Sequence, residues 1–361
     1  MIFDFLNIKP KDAVYISADQ LRAQIVSILV AVNVPKEHAL ITADILVMAN
    51  LRGVDTHGVA NLLEYIPMIR SGEYTIPQKI HVLQETVSTA LMTNGNGLGF
   101  VGAYYAMQLA IEKAKNTGVG QVAVRDGRHI GMVAYYPMMA LKHEMIGMAV
   151  TNGSRSVRPA LGARPRIGTN PIAFAAPAGK ERPFILDMAT STVSGRKIEL
   201  AYLLGVPIPE GWVVDSKGKP IRNPPFKRNE NWSQNPLGNT IEQGGHKGYG
   251  LAVMIDILAG VLSGGGFSAK FKFGQNMTWV MAIDISKFRP VTKFKKMMDN
   301  MINELHLTPP EKGAERVLVA GDPEADVYDV RIKNGIPMHR TQVTELDSLA
   351  KEVGIISTLS K

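Results

Sequence analysis

The chain has no cysteine among its 361 residues, so disulfides, thiolate metal sites and cysteine nucleophiles are excluded, and nothing points to an oxidising compartment. No apolar run approaches the roughly 20 residues that span a bilayer. The start MIFDFLNIKPKD has an early acid and no basic stretch before an apolar one, unlike a secretory signal, and the expected location is the cytoplasm. Eight histidines are present, but they form no His-Glu-x-x-His pair and no ligand-spaced cluster, so no catalytic metal is expected. Aromatic residues are only 7% of the chain and do not interleave with the basic ones, which argues against a nucleic-acid partner.

Hydrophobic residues make up 45% of the chain, enough for a buried core, and the length fits two modest domains or one large one with insertions. Lys and Arg number 40 against 32 Asp and Glu, a net charge of +8. That excess suits anionic substrates or phosphate-bearing cofactors. It also leaves one reading outside the enzymes, a basic nucleic-acid-binding protein whose glycine loops merely turn, which would bind DNA or RNA with a steep salt dependence and no cofactor.

Residues 17–33, SADQLRAQIVSILVAVN, open with a Ser-x-x-Gln capping box and set Leu21, Ile25, Ile28 and Leu29 on one face, which predicts a helix. A second helix is predicted from Pro35, as its first position, to a stop at Gly53. Helical periodicity resumes after Gly58, with Pro67 kinking or splitting it. His57, in LRGVDTHG, therefore sits at a junction between helices. From about 80 to 150, short β-rich runs alternate with helical ones and predict an α/β or α+β core. Residues 205–245 are rich in Pro, Gly and Asn and are expected to form a long functional or mobile loop. HKGYGLAVMIDILAGVLSGG reads as a buried helix, MTWVMAIDI as a strand, and two helices close the chain.

Gly97, Gly99 and Gly102 stand in G-x-G-x-x-G spacing between a predicted strand and helix, with Asp126 after the next strand. That is the pattern of a Rossmann dinucleotide site. The spacing is cheap in a chain with 34 glycines, and the same residues can serve a tight turn with close helix packing.

Six stretches occur together and in order: LRGVDTHG, RHIG, RIGTNPIAFAAP, LDMATS, PEGWVVDSKGKP and GGHKGYGLAVMIDILAGVLSGG. As a set they are similar to the malate/L-lactate dehydrogenase family, which is unrelated to the Rossmann enzymes of the same names. The resemblance extends from about residue 15 to 355. It implies an α/β (α+β) fold with a non-Rossmann nicotinamide-cofactor domain and a helical domain formed by both chain ends. Residues 1–80 with 285–361 would form the helical, substrate-side part, and 81–284, including the 205–245 loop, the cofactor part. It implies hydride transfer between NAD or NADP and a small 2-oxoacid or 2-hydroxyacid, with malate/oxaloacetate or lactate/pyruvate expected. It also implies a homodimer, a small-molecule carboxylate as substrate, and neither nucleic acid nor membrane as partner. The fingerprint glycines are structural on this view. An alternative within the family is reduction of a cyclic imine, a ketimine carboxylate, by the same cofactor.

The chemistry names its residue types. A ketone reduced by hydride becomes an alkoxide that must be protonated, and histidine is the natural acid near neutral pH. His57 fits, and the resemblance adds the preceding hydroxyl, here Thr56 in place of the usual serine, and Asp187 of LDMATS. Taken alone, His57 and Asp187 could equally be helix caps. His129, in RHIG, is the rival proton donor and a substrate contact; its neighbour Arg128 stands where relatives often carry asparagine. A substrate carboxylate calls for a guanidinium fork, and Arg52 is the first choice. Arg155, Arg158, Arg164 and Arg166 offer further charge in a Gly/Pro-rich loop. Thr169 and Asn170 are expected either to fix backbone or to line the nicotinamide and substrate site. For the cofactor the resemblance and the residue types indicate Ser154, Asp187, Thr190, Ser191, His246, Lys247, Gly321 and Asp322, the lysine at a helix start suited to phosphate. NAD and NADP remain equally open.

Overall fold

The computed structural model describes residues 10–223 and 231–359. The first strand, β1 (Ala13–Ile16), leads into α1 (Ala18–Ala31), where Ser17 accepts the Gln20 amide at 3.2 Å and caps the helix as its sequence predicts. Helix α2 (Lys36–Leu51) follows, with Pro35 at the cap and not inside the helix, because its ψ of 138° is extended. Gly53, at φ 75°, ends the turn that Arg52 closes. Helix α3 (Leu62–Arg70) runs through Pro67 as one element. Its buried Leu62, Tyr65, Ile66 and Ile69 hold it against the single backbone bond that proline removes.

The centre of the chain supplies β2 (His81–Glu85), β3 (Thr89–Thr93), α4 (Gly99–Thr117), β4 (Val119–Arg128), α5 (Tyr135–Leu141), β5 (Met145–Thr151), β6 (Ile172–Ala176) and β7 (Phe184–Met188). Then come α6 (Gly195–Leu203), the short pair β8 (Val213–Asp215) and β9 (Trp232–Gln234), α7 (Gly245–Ile255) and β10 (Gln275–Asp284). The chain closes with α8 (Val291–His306), α9 (Asp322–Asn334), β11 (Ile336–His339) and α10 (Arg340–Glu352). Seven strands form one mixed sheet in the order β2-β3-β4-β10-β5-β6-β7, and only β3 and β4, joined through α4, are parallel. A doubly wound parallel sheet is therefore absent from the described residues, and the fold is the non-Rossmann α/β type that the sequence indicated. Pairing of β1 with β11 brings the two ends of the chain together.

Both faces of the sheet are covered. Val122, Val124, Ala149, Val280 and Ala282 point into the large core with α1 to α5, while the alternate residues Ala123, Val150 and Trp279 pack under Ile255, Ala259 and Phe271. Two expectations change. The loop at 205–245 contains the β8/β9 pair, and its residues 224–230 lie outside the described ones. The apolar run from 246 to 265 is not one buried helix: α7 gives way to a wider π-helical turn at Asp256–Val261, and Ile257, Val261 and Leu262 are 52%, 57% and 59% exposed. An apolar run lacks the periodicity that would distinguish a buried face from an unpartnered one.

The fingerprint glycines prove to be packing residues. A side chain on Gly97 would meet Gln78, one on Gly102 would lie 2.1 Å from Asn94 Oδ1, and one on Gly99 would lie 2.1 Å from the Arg128 carbonyl oxygen. Asp126 accepts from Thr93 Oγ1 at 2.8 Å and pairs with Arg125. These contacts seat α4 beneath the end of β4, where His129 begins.

Candidate active site

The segment after α2 is pinned before it offers any chemistry. Asn50 donates from Nδ2 to Asp55 Oδ1 (2.6 Å) and accepts the Val59 amide on Oδ1 (2.9 Å). Arg331, from α9, grips the same Asp55 carboxylate at 2.7 and 3.0 Å. Gly58 is obligatory, since a Cβ there would sit 2.1 Å from Asn50 Oδ1. His57 ends the short 3-10 turn so fixed, and its Nδ1 lies 2.9 Å from Thr56 Oγ1.

His129 arrives from the sheet. It follows β4 directly, and its ring stacks on that of His57 with centroids 5.4 Å apart and planes 24° from parallel. Burial, together with the Arg196 and Lys197 charges, lowers His57 to about 4. Burial, His57 and Arg196 lower His129 to about 3. Both imidazoles are therefore neutral at pH 7 in the free protein. Arg196, on α6, is docked against the 57–64 segment by Asn61 Oδ1 (3.1 Å) and Glu64, and is braced within its own helix by Glu199 (3.0 Å). Arg128 faces elsewhere: it bonds Asn96 and Glu73 and lies over the Tyr74 ring.

Asp187 closes the third side. Its Oδ2 accepts the Ala134 amide at 2.8 Å. Although the residue is exposed, desolvation by the protein packed around its carboxyl raises its pKa to about 7, with Glu324 adding to the rise and the Ala134 amide, Arg52 and the Val133 amide opposing it. Arg52 is only 7% exposed, and its Nε and Nη2 have no hydrogen-bond partner. Burial lowers its pKa, and Glu324, Asp187 and Tyr328 are the negative or polar groups that hold it up. A buried guanidinium with open donors costs several kcal/mol unless something answers it. The structure thus brings Thr56, His57 and His129 into contact and Asp187 toward Arg52. It shows no hydrogen bond from Asp187 to His57 among the described residues.

The remaining predicted residues divide into two groups. Asn170 is fully buried at φ 37°, its side chain accepting the Gly153 amide (3.1 Å) and donating to the Ala252 carbonyl (2.8 Å). The Thr190 hydroxyl donates to the Thr169 and Asn170 carbonyls (3.0 and 2.9 Å), and that of Ser191 to the Val193 carbonyl (2.7 Å). These groups fix the backbone that carries Asp187. Asp322 accepts from His306 Nε2 (2.7 Å) and the Val319 amide (2.9 Å), while Gly321, at φ 101°, rests against Ile185, two residues from Asp187. Ser154 is half-buried, and His246 and Lys247 are exposed in the first turn of α7. Sequence reasoning missed Tyr65, Arg196, Lys197 and Glu324. The signal for the two cations was a Gly-Arg-Lys start to a helix just after LDMATS; Tyr65 was hidden in an apolar helical pattern.

The chain matches the malate/L-lactate dehydrogenase family over residues 16–347. It is 42% identical to malate dehydrogenase of Pyrococcus abyssi over 348 residues, covering 95% of this chain and 96% of that one. It is 38% identical to malate/(S)-sulfolactate dehydrogenase of Methanothermus fervidus, covering 94% and 98%. The solved malate dehydrogenase of Pyrococcus horikoshii superposes with a TM-score of 0.87 at 39% identity, over 97% of this chain and 99% of that one. The chain belongs to the malate/L-lactate dehydrogenase family and is a 2-hydroxyacid dehydrogenase.

Proposed function

We propose that the enzyme transfers a hydride between a nicotinamide dinucleotide, NAD or NADP, and C2 of a small 2-oxoacid, with malate/oxaloacetate as the preferred pair over lactate/pyruvate. The observation that carries this is Arg52, whose buried Nε and Nη2 have no hydrogen-bond partner; a C1 carboxylate admitted beside them would satisfy both in two parallel bonds. Arg196 and Lys197 lie near enough to depress His57. The malate dehydrogenases among the relatives point the same way.

The residues present fit the cofactor. Helix α7 starts without a side-chain cap and without an acid in its first turn, and it exposes His246 and Lys247 there, a donor set suited to a pyrophosphate. When bound, the dinucleotide supplies or accepts the hydride. The protein's own part is to bind, orient and protonate. Arg52 holds C1. Thr56 orients the His57 ring, and the substrate's negative charge raises that imidazole's proton affinity so that it can protonate the forming alkoxide. Asp187 sets the charge beside Arg52. We further take the enzyme as a homodimer, a reading supported by the exposed Leu251, Met254, Ile257, Val261 and Leu262 along α7 and the turn after it.

The test is the loss of NADH or NADPH absorbance with oxaloacetate, pyruvate and a cyclic ketimine carboxylate in parallel. Oxaloacetate should turn over fastest. Faster reduction of the ketimine would replace the oxoacid reading with imine reduction, and no turnover of any of the three would remove the substrate assignment.

A further inference from the structure

Tyr65, on α3, is 4% exposed, and its hydroxyl lies 2.6 Å from His129 Nδ1. The Gly131 amide approaches the same nitrogen at 3.4 Å. A backbone N–H can only donate, so a nitrogen that receives it must present a lone pair. The phenol then donates as well.

We propose that Tyr65 is a positioning residue: with the Gly131 amide it holds His129 in the tautomer protonated at Nε2, so that this N–H serves as a neutral hydrogen-bond donor to the substrate's 2-keto oxygen. The inference rests on the oxoacid reading for its substrate, but the tautomer stands on geometry alone. No hydrogen bond ties Nε2 to the protein among the described residues, and that atom is not among the buried polar atoms without partners. The N–H is therefore available to a ligand.

The phenol cannot swing away. Its ring meets Phe100 edge-on at 5.5 Å, and Phe100 in turn meets the His129 ring at 6.4 Å and 87°. Phe100 is fully buried, and Gly131 at φ 70° leaves no room for a side chain above it, since a Cβ would lie 2.7 Å from Phe100 Cε1. The charged and titratable groups facing His129 are His57, stacked on it, Arg196 of α6, and Tyr65 itself. Arg196 is positively charged, and a cation at His129 would be opposed by it.

The arrangement divides the labour between the stacked rings. As hydride reaches C2, the C=O π pair moves onto oxygen. His129 Nε2–H stabilises that developing charge and keeps its proton, because its Nδ1 lone pair is already engaged by the Tyr65 hydroxyl. The proton that ends on oxygen leaves His57. A donor of this kind is worth about 100-fold in turnover where single oxyanion donors have been removed.

The experiment combines 15N imidazole spectra of the full-length protein with kinetics. Wild-type His129 should show an unprotonated Nδ1 and a protonated Nε2. Tyr65→Phe, which keeps the ring, should release the ring to a tautomer mixture and lower kcat for oxaloacetate about 10- to 100-fold with KM for the reduced cofactor unchanged. His129→Gln, whose amide can donate but not titrate, should retain at least about tenfold more kcat than His129→Ala. A wild-type ring protonated at Nδ1 overturns the proposal even if Tyr65→Phe fails to fold. So does a glutamine variant as inactive as the alanine one, which would make His129 the acid. Wild-type protein that reduces no oxoacid yet shows the Nε2 tautomer would instead remove the substrate reading and leave the positioning of the ring intact.

Discussion

Two glycine-bearing turns in this molecule both look like sites in sequence, and they behave oppositely in the fold. At 94–102 the polar side chains are satisfied within the protein: Asn94 binds Gly97 and Gln78, Asn96 binds Glu73 and Arg128, and the glycines make room for neighbouring backbone and side chains. At 50–58 the scaffold atoms, Asn50 and Asp55, are equally satisfied, yet Arg52 is left buried with two unpaired donors and His57 faces a second histidine. A motif's spacing describes a turn; a site is marked by costly groups that the fold declines to satisfy.

That contrast can be tested in decreasing order of effect. Arg52→Met should lower kcat/KM for the oxoacid by about 10²- to 10⁴-fold, because it removes a charged partner from a buried carboxylate. The same change should raise thermal stability, since a buried guanidinium with two donors lacking hydrogen bonds is replaced by an apolar chain. A variant both less active and less stable would mean that Arg52 is structural. His57→Ala should reduce kcat about 10²- to 10⁴-fold while fluorescence titration finds the reduced cofactor bound as before. Gly102→Ala should behave in the opposite way. Urea unfolding should show a loss of about 1–3 kcal/mol from overpacking against Asn94, with cofactor affinity in the folded protein preserved; a selective loss of cofactor binding would restore the fingerprint reading.

The smallest effect concerns pH. Folding raises Asp187 from 3.8 to about 7, so the native state holds this proton more tightly than the unfolded chain. Its contribution to stability is complete below about 4 and is lost as the pH rises through 7. Ionisation also places another carboxylate beside Arg52 in competition with the substrate. KM for the oxoacid should therefore climb above pH 7, by up to about tenfold per pH unit, and Asp187→Asn should flatten both profiles.

Much of this was legible in the sequence, and the exceptions have definite causes. The Ser17 cap, the stop at Gly53 and the alternation that builds the sheet follow from local chemistry, and each appears in the fold. The location of His57 between helices was equally local. Its neighbour Arg52 was visible as a guanidinium near a histidine, but its lack of a partner was not. Asp55, three residues on, looks like its natural counterion, and only the fold shows Arg331, from 276 residues away, taking that carboxylate. Tyr65 occupies an apolar stripe of α3, where a tyrosine reads as core until β4 brings His129 to its hydroxyl. The exposed face after α7 was misjudged because a continuous apolar run carries no phase.

The most direct test is equilibrium binding of oxalate, which offers a carboxylate pair but no reducible carbon, to the reduced-cofactor complex of the wild type and of Arg52→Met. The account predicts that the substitution weakens oxalate by about 100-fold or more while leaving cofactor affinity unchanged. Equal oxalate binding by the two proteins would contradict it, because the buried guanidinium would then have no anion to answer.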